Sequence, residues 1–280
     1  MKQAFLITAY NNFGHLERLI RTLDDKNVWF YIYVDAKVEV PDSLVSIRTA
    51  NPFEVLHTRR VEWGDQSQII TELELFAKAY ENPDIEWFHL ISGTDFPLRS
   101  VQKILNFYEK AEDVDCFMEH EPIPAHLSDR MEIYHFRARR PSETGRLISM
   151  VQSKFRSLQI KLGIKRRPPV ESGFRYGSNW VDLRRNAVKM LLEDNDRILN
   201  STRHTIIANE VYKQTFLYGR GLRIVDDNLR YIDWSEKQPS PKSLGPEDFN
   251  AMMASDKLFA RKFDAANSHV LREMIEATLD

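Results

Sequence analysis

"AFLITAYNNFGHLERLIRTLDDKNVWFYIYVD", residues 4–35, decides the fold class of this 280-residue chain. Two apolar runs within it, Ala4–Tyr10 and Trp29–Asp35, have the length and residue types of buried strands. The segment between them places four apolar side chains at helical spacing: Leu16, Leu19, Ile20 and Leu23. A strand, a helix and a second strand in this order predict two parallel strands joined by a crossover helix.

The alternation of strands and helices continues over the first 120 residues. The predicted elements are a weaker strand Glu54–His57, a helix Ser67–Tyr80, a strand Trp87–Ile91, a helix that begins after Ser100, and a strand Cys116–Glu121. Ser67 and Ser100 are expected to be helix N-caps. Later segments predict a strand that runs into a helix within 177–194, a helix over 205–219 and a final amphipathic helix Val270–Leu279. We therefore predict an α/β fold, with a mostly parallel, Rossmann-like sheet flanked by helices.

Composition and motifs exclude several classes of protein. The chain has 42% apolar and 29% charged residues, which is ordinary for a globular domain, and its net charge of -2 does not favour nucleic-acid binding. The single Cys116 excludes an intramolecular disulfide, and no signal peptide or long apolar segment is evident, so we expect a cytoplasmic protein. The dinucleotide-binding, P-loop and zinc-binding spacings are absent from the sequence.

Polar residues near the predicted strand ends are candidates to line one crevice, because ligands of parallel sheets bind beyond the carboxyl ends of the strands. These residues are Tyr10, Asp35, Asp95 and Glu119. Asp35 could accept hydrogen bonds from a base or ribose, or it could cap a turn. Asp95 could position a hydroxyl group or a metal ion, or it could cap the turn before Pro97. Two Asp-x-Asp pairs, at 113–115 and 194–196, do not lie at the carboxyl end of a predicted strand and are interpreted as solvated turns.

A basic segment, residues 137–167, contains ten Lys or Arg residues and one acid, Glu143. Its helical part places apolar side chains on one stripe that is flanked by basic residues: Leu147, Val151, Phe155, Leu158 and Leu162. A basic amphipathic helix can lie on an anionic membrane surface, so residues 145–167 are a possible peripheral membrane contact at the inner face of the cell membrane. The same pattern also fits a surface helix with a solvated basic face.

Seven stretches resemble one known family in their order and approximate spacing. The residues 4–37, matched over most of their length, are followed by "VEWGDQSQI" (61–69), "HLISGTDFPLRS" (89–100), "GSNWVDLRRNAV" (177–188), "ANEVYKQTFL" (208–217), "LRYIDW" (229–234) and "KLFARKFD" (257–264). Together they are similar to the core-2/I-branching β-1,6-N-acetylglucosaminyltransferase family, which includes peptide O-xylosyltransferases. The chain looks like a compact bacterial member without the membrane anchor, stem and disulfides of the animal enzymes.

The resemblance implies a GT-A-type glycosyltransferase fold and an inverting reaction that uses a UDP-sugar and no divalent metal ion or other cofactor. It implies a single domain over 1–280, with a nucleotide-sugar-binding half, 1–115, and an acceptor-binding and catalytic half, 116–280. The expected reaction transfers a sugar to a hydroxyl group of a glycan in surface polysaccharide synthesis. N-acetylglucosamine is the sugar that the resemblance favours. The expected partners are the UDP-sugar and a glycan acceptor, free or lipid-linked, and no nucleic acid.

The resemblance also implies roles for individual residues. The catalytic base matches Glu210, although a glutamate in the first turn of a helix is also common without such a role. Two basic residues of the family balance the charge of the leaving diphosphate. Lys262 matches one of them, and Lys242 stands in place of the other, an arginine. Either could also be an ordinary surface lysine. The other donor-binding positions match Tyr10, Asp35, Trp63, Ser67 and Asp95. The acceptor-binding positions match Glu119, Arg130 and Trp234.

Two departures from the family pattern concern the acceptor. Leu127 stands where the family has lysine, and Glu236 stands where it has an aromatic residue. Three alternatives remain open: a transferase of xylose or of another UDP-linked sugar, a metal-dependent GT-A transferase that uses Asp95, and a glycan- or nucleotide-binding protein without catalysis.

Overall fold

A computed structural model describes residues 1–136 and 146–279 of the chain, without the side chains of 146 and 147. Its strands are β1 Lys2–Ala9, β2 Val28–Val34, β3 Glu54–Leu56, β4 Ile85–Ser92, β5 Phe96–Pro97, β6 Cys116–Phe117, β7 Glu121–Pro122, β8 Arg175–Tyr176, β9 Asp182–Arg184, β10 Ile224–Val225, β11 Arg230–Ile232 and β12 Phe259–Arg261.

The α-helices are α1 Phe13–Leu23, α2 Asp42–Val45, α3 Gln66–Tyr80, α4 Val101–Lys110, α5 Asp129–Glu132, α6 Arg146–Lys161, α7 Arg185–Glu193, α8 Asn195–Thr202, α9 Tyr212–Leu217, α10 Phe249–Ala254 and α11 His269–Glu276. Two short 3-10 helices cover Ala208–Glu210 and Pro246–Asp248. In the part of the chain that the structure describes, no helix combines the length and the apolar character that crossing a membrane requires.

The first of two compact units is built on a parallel sheet. It comprises Met1–Thr58, Asn82–Asp113 and the chain from Asn228 onward. Four of its strands lie in the order β4, β1, β2, β3, and every pair is parallel. The central strand β1 is buried on both faces, which explains its continuous apolar run. A smaller sheet in the same unit joins β11, β12 and β5.

The second unit comprises Arg59–Glu81 and Val114–Asp227. It is mainly helical: α3 packs against α7 and α8, and α9 packs against α7 and β8. Its strands are two or three residues long and form the pairs β10 with β6, β6 with β9, and β7 with β8. The short strands explain why the sequence pattern is less regular in this part of the chain.

The predicted fold class is confirmed, since parallel strands alternate with helices as the first 35 residues indicate. The single functional domain and its halves, 1–115 and 116–280, stay predictions. The chain passes from the first compact unit to the second close to residue 113, near the predicted boundary. It returns to the first unit at Asn228, because β11 pairs with β12 and β12 pairs with β5.

Three local predictions were wrong in detail. Asp65, and not Ser67, is the N-cap of α3, since the Asp65 carboxylate accepts the Ser67 N–H at 2.8 Å. Ser100 does precede α4, but its side chain forms no capping hydrogen bond. The helix predicted over 205–219 is divided into the 3-10 helix Ala208–Glu210 and α9, because Val211 between them leaves the helical conformation with φ -128°.

Candidate functional site

Three of the predicted site residues follow parallel strands of the first unit, at the edge where such sheets bind ligands: Tyr10, Asp35 and Asp95. Backbone hydrogen bonds connect these strand ends. The Asp35 N–H donates to the Ala9 carbonyl at 3.0 Å, and the Gly93 N–H donates to the Thr8 carbonyl at 2.8 Å. Tyr10 is 45% exposed, so its ring is accessible to a ligand at this edge.

Asp35 caps the turn that follows β2. Its Oδ1 accepts the Lys37 N–H at 3.0 Å, and its carbonyl accepts the Val38 N–H at 3.0 Å. The residue is almost completely buried. The structure therefore contains the turn-capping interaction that the sequence left open, and the contact with a donor nucleotide stays a prediction.

Asp95 is completely buried. Its Oδ2 accepts the Ser92 N–H at 3.0 Å, and its Oδ1 lies 3.6 Å from the Arg261 Nε. Burial raises the pKa of this carboxyl, while the Arg261 guanidinium opposes the rise. In this arrangement Asp95 caps the turn before β5 and balances the charge of Arg261. Within residues 1–136 and 146–279, no three His, Cys, Asp or Glu side chains are grouped as a metal ion would need.

The segment after β12 lies at the same edge of the first unit. The Phe263 N–H donates to the Thr94 carbonyl at 2.8 Å, and the Leu244 N–H donates to the Lys262 carbonyl at 2.9 Å. These bonds place the backbone of Lys262 beside the turn that contains Asp95. Lys262 is partly exposed and forms no ion pair with any described residue.

Lys242 has a different electrostatic environment. Its Nζ donates to both carboxylate oxygens of Asp248, at 2.8 and 3.0 Å, and lies 3.4 Å from Glu247. The hydrogen bonds to Asp248 raise the pKa of Lys242. The charge of Lys242 is thus already balanced within the protein.

Trp234 follows β11 in the first unit and is 54% exposed. An exposed indole ring of this kind offers an apolar face on which a sugar ring can stack. Glu236, which replaces the aromatic residue of the family pattern, is also exposed.

In the second unit, the carboxylate of Glu210 lies in a small polar group. Its Oε2 accepts a hydrogen bond from the Arg130 guanidinium at 3.0 Å, and the Tyr176 hydroxyl also donates to the carboxylate. Burial raises the pKa of the Glu210 carboxyl, while Arg130 and Tyr176 oppose the rise. Since 31% of the Glu210 side chain is exposed, an external hydroxyl group can reach it. A partly desolvated carboxylate with a raised pKa suits general-base catalysis.

Gly177 sets the position of the Glu210 backbone. Its N–H donates to the Glu210 carbonyl at 3.0 Å. A Cβ atom at this position would lie 2.1 Å from the Glu119 carbonyl oxygen, so no other residue fits without a backbone shift. The exposed Glu119 side chain accepts the Ser178 N–H at 3.2 Å. The "GSNW" stretch thereby holds Glu119 and Glu210 close together in the second unit.

The loop before Glu210 is strained. Ile207 has φ 53°, an unusual conformation for a β-branched residue that costs about 1–3 kcal/mol. Its N–H donates to the Gly64 carbonyl at 2.7 Å. The predicted donor-binding residues Trp63, which is 38% exposed, and Ser67 flank Gly64, so this segment adjoins the Glu210 loop. Ser67 uses its hydroxyl to accept the Glu62 N–H.

A largely buried polar cluster, formed by Glu72, Asn179, Tyr212 and Lys213, also supports the loop. Lys213 Nζ donates to Glu72 Oε2 and to Asn179 Oδ1, both at 2.7 Å, and Tyr212 donates to Glu72 Oε2 at 2.9 Å. Lys213 also donates to the Asn209 carbonyl at 3.1 Å. The cluster therefore connects α3 and α9 to the backbone directly before Glu210.

Sequence reasoning missed three features of the site. Tyr176 directly precedes the recognised "GSNW" stretch, and this position is a signal that could have predicted its place in the site. The Asp248 partner of Lys242 and the buried cluster carry no comparable signal: Glu72 lies on α3, far from Lys213 in the sequence, and meets it only through the fold. Arg130, assigned from the sequence to the acceptor, is paired with the predicted base.

Comparison with known proteins gives a family match over most of the chain. A family model described as "Core-2/I-Branching enzyme" matches residues 3–254. Xylosyltransferase 2 of Rattus norvegicus is 23% identical over 293 residues, which cover 93% of this chain and 32% of that protein. Xylosyltransferase 1 of Rattus norvegicus is 23% identical over 300 residues, which cover 97% of this chain and 35% of that protein. The chain thus spans about a third of the length of these relatives.

Proposed function

The chain belongs to the core-2/I-branching enzyme family, and on this premise we propose that it is an inverting glycosyltransferase that moves a sugar from UDP to a hydroxyl group of a glycan. The observation that carries the proposal is the environment of Glu210: a partly exposed carboxylate with a raised pKa, oriented by Arg130 and Tyr176. This arrangement is what a base for an acceptor hydroxyl group requires.

The proposed reaction is a single displacement. Glu210 takes the proton of the acceptor hydroxyl group while its oxygen attacks the anomeric carbon of the donor. The bond from that carbon to the UDP oxygen breaks, and UDP leaves with its electron pair. Attack opposite to the leaving group inverts the anomeric configuration.

The leaving diphosphate needs positive charge, because negative charge develops on it in the transition state. We assign this role first to Lys262, whose ammonium group has no ion-pair partner in the described residues. Lys242 contributes less in this proposal because Asp248 already balances it. Asp35, Tyr10, Trp63 and Ser67 keep their proposed donor contacts, whereas Asp95 acts by holding the turn beside Lys262. No divalent metal ion is part of the proposed mechanism.

The donor sugar is proposed to be N-acetylglucosamine or xylose. The family resemblance favours the first sugar, whereas the names of the relatives favour the second. The acceptor is proposed to be a growing surface glycan, free or lipid-linked, that Glu119 and Trp234 help to bind. In this proposal the reaction takes place on the cytoplasmic side of the membrane.

A panel of UDP-sugars tests the proposal. We expect the purified chain to release UDP from UDP-N-acetylglucosamine or UDP-xylose, faster in the presence of a glycan acceptor, and with unchanged rate in EDTA. Loss of activity in EDTA, restored by Mn²⁺ or Mg²⁺, would instead support the metal-dependent alternative with Asp95. Saturable binding of UDP without turnover of any donor would support the non-catalytic alternative.

The pH dependence of the reaction tests the role of Arg130. Glu210 must be ionised to accept a proton, so kcat/KM falls as the pH decreases through the pKa of Glu210. Arg130 stabilises the ionised form, and Arg130→Met therefore raises this pKa and moves the acid limb of the kcat/KM profile to higher pH. Arg203→Met, at an exposed position, is the control and leaves the limb in place. An unchanged limb in Arg130→Met would show that Glu210 is not the titrating base.

A further inference from the structure

We propose that α6 and the residues that follow it form a docking surface for an anionic lipid bilayer. This inference goes beyond the proposed sugar transfer and does not depend on it. Several apolar side chains of this segment are exposed to solvent, among them Ile148, Val151, Leu158 and Leu162. Leu158 is 52% exposed and Leu162 is 63% exposed, although leucine is usually buried in a folded protein.

The most buried contact between α6 and the rest of the second unit is polar, and of the apolar stripe only Phe155 has a ring contact among the described residues. Gln159 is 2% exposed, accepts the Tyr134 N–H at 2.8 Å and donates to the Tyr134 carbonyl at 2.9 Å. The rings of Phe155 and Phe136 lie 4.2 Å apart, and Phe136 is itself exposed. The helix thus buries an amide and leaves much of its apolar stripe in water.

The helical geometry explains this orientation. With 3.6 residues per turn, Leu162, Val151 and Leu158 lie about 60–100° around the helix from Gln159. The stripe therefore points to the side of the packing face, toward solvent. A helix of 16 residues spans about 24 Å, so α6 can lie flat on a surface with this stripe downward.

Charge selects the partner. Residues 146–167 contain seven Lys or Arg residues and no Asp or Glu. Arg156 pairs with Asp129, and Lys165 pairs with Glu132. Lys154 and Lys161 are exposed, form no ion pair with a described residue, and lie beside the stripe on the helix. Lysines that border an apolar stripe can contact lipid phosphates while their aliphatic stems cover the hydrocarbon.

A bilayer with anionic lipids fits this surface better than a second copy of the chain. A symmetric dimer through α6 would bring two segments of like charge together, whereas an anionic bilayer complements both the stripe and its lysines. Residues 137–145 of the basic segment lie outside the described residues.

Co-sedimentation with vesicles tests the docking surface. We expect the full chain to sediment with vesicles of phosphatidylglycerol and phosphatidylcholine in equal parts, and not with phosphatidylcholine alone. The double variant Val151→Ser/Leu158→Ser lowers the bound fraction at least about tenfold, and Lys154→Gln/Lys161→Gln lowers it and weakens its salt dependence. Val45→Ser, which changes an equally exposed apolar residue of the first unit, is the matched control and leaves binding unchanged.

Three outcomes would overturn the proposal. The first is the absence of sedimentation with the anionic vesicles at physiological salt. The second is equal binding of the stripe variant and the wild type. The third is a concentration-dependent dimer in sedimentation velocity that Val151→Ser/Leu158→Ser abolishes. Circular dichroism of each variant confirms folding, and turnover with a soluble acceptor stays at the wild-type rate because no catalytic group is changed.

Discussion

Replacement of Glu210 by glutamine lowers kcat about 10²–10⁴-fold, which is the usual contribution of a general base. The amide keeps the size of the side chain, and its oxygen can still accept a hydrogen bond from Arg130. It cannot accept the proton of the acceptor hydroxyl group. We therefore expect the KM of the donor and the stability of the fold to change little. Initial rates of UDP release, measured with saturating donor and acceptor, give the effect.

Glu193→Gln is the matched control for this prediction. The Glu193 side chain is 59% exposed and pairs with Lys189 across one turn of α7, so its neutralisation leaves turnover unchanged. Wild-type turnover in Glu210→Gln would disprove the assignment of the base. A wild-type enzyme that is inactive with every UDP-sugar would instead disprove the proposed function, so the two failures are distinguishable.

Replacement of Lys213 by methionine lowers the free energy of unfolding by about 3–5 kcal/mol, the usual cost of removing one partner from a buried ion pair. Lys213 is completely buried, and its ammonium group donates hydrogen bonds to Glu72, Asn179 and the Asn209 carbonyl. Without that group, the Glu72 carboxylate stays buried without its cation. Urea unfolding followed by circular dichroism measures the change.

A double variant separates pairing from packing. Glu72→Leu/Lys213→Met removes both charges, so we expect a smaller loss of stability than the sum of the two single losses. Lys189→Met is the control: this exposed pair with Glu193 contributes about 0–1 kcal/mol. Additive losses at Glu72 and Lys213 would contradict the interpretation of the cluster as a coupled ion pair.

The buried cluster also concerns the reaction. Lys213 holds the Asn209 carbonyl, and the next residue is Glu210. Where Lys213→Met still folds, we expect the Glu210 loop to be less well positioned and kcat to fall, while the KM of the donor is maintained. Lys213 is thus a positioning residue that acts through the backbone.

The sequence predicted the elements whose signal is local. The apolar runs of β1 and β2 and the helical spacing of α1 depend on neighbours a few residues away, so the strand–helix–strand unit is readable from residues 4–35. The same holds for the final helix and for the strand that runs into α7. The helix cap was less predictable, because Asp65 and Ser67 are both good capping residues and the backbone selects between them.

The candidate site was predictable only as a set of separate residues. Short stretches that resemble a known family single out Glu210, Lys262 and Asp35, whose roles stay predictions. The stretches do not show which side chains surround these residues. For example, the charge of Lys242 is balanced by a hydrogen bond to Asp248, and the short stretches do not predict this contact.

The sequence by itself determined the fold class, the order of the elements and the family, since periodicity and short motifs are local properties of the chain. Only the tertiary structure decided which charges are balanced and which apolar residues are exposed. Glu210 meets Arg130 and Tyr176, and Glu72 meets Lys213, across long stretches of chain. The stripe of α6 is exposed because Gln159 faces the protein. Charge balance and burial depend on which surfaces pack together, and sequence spacing does not encode that directly.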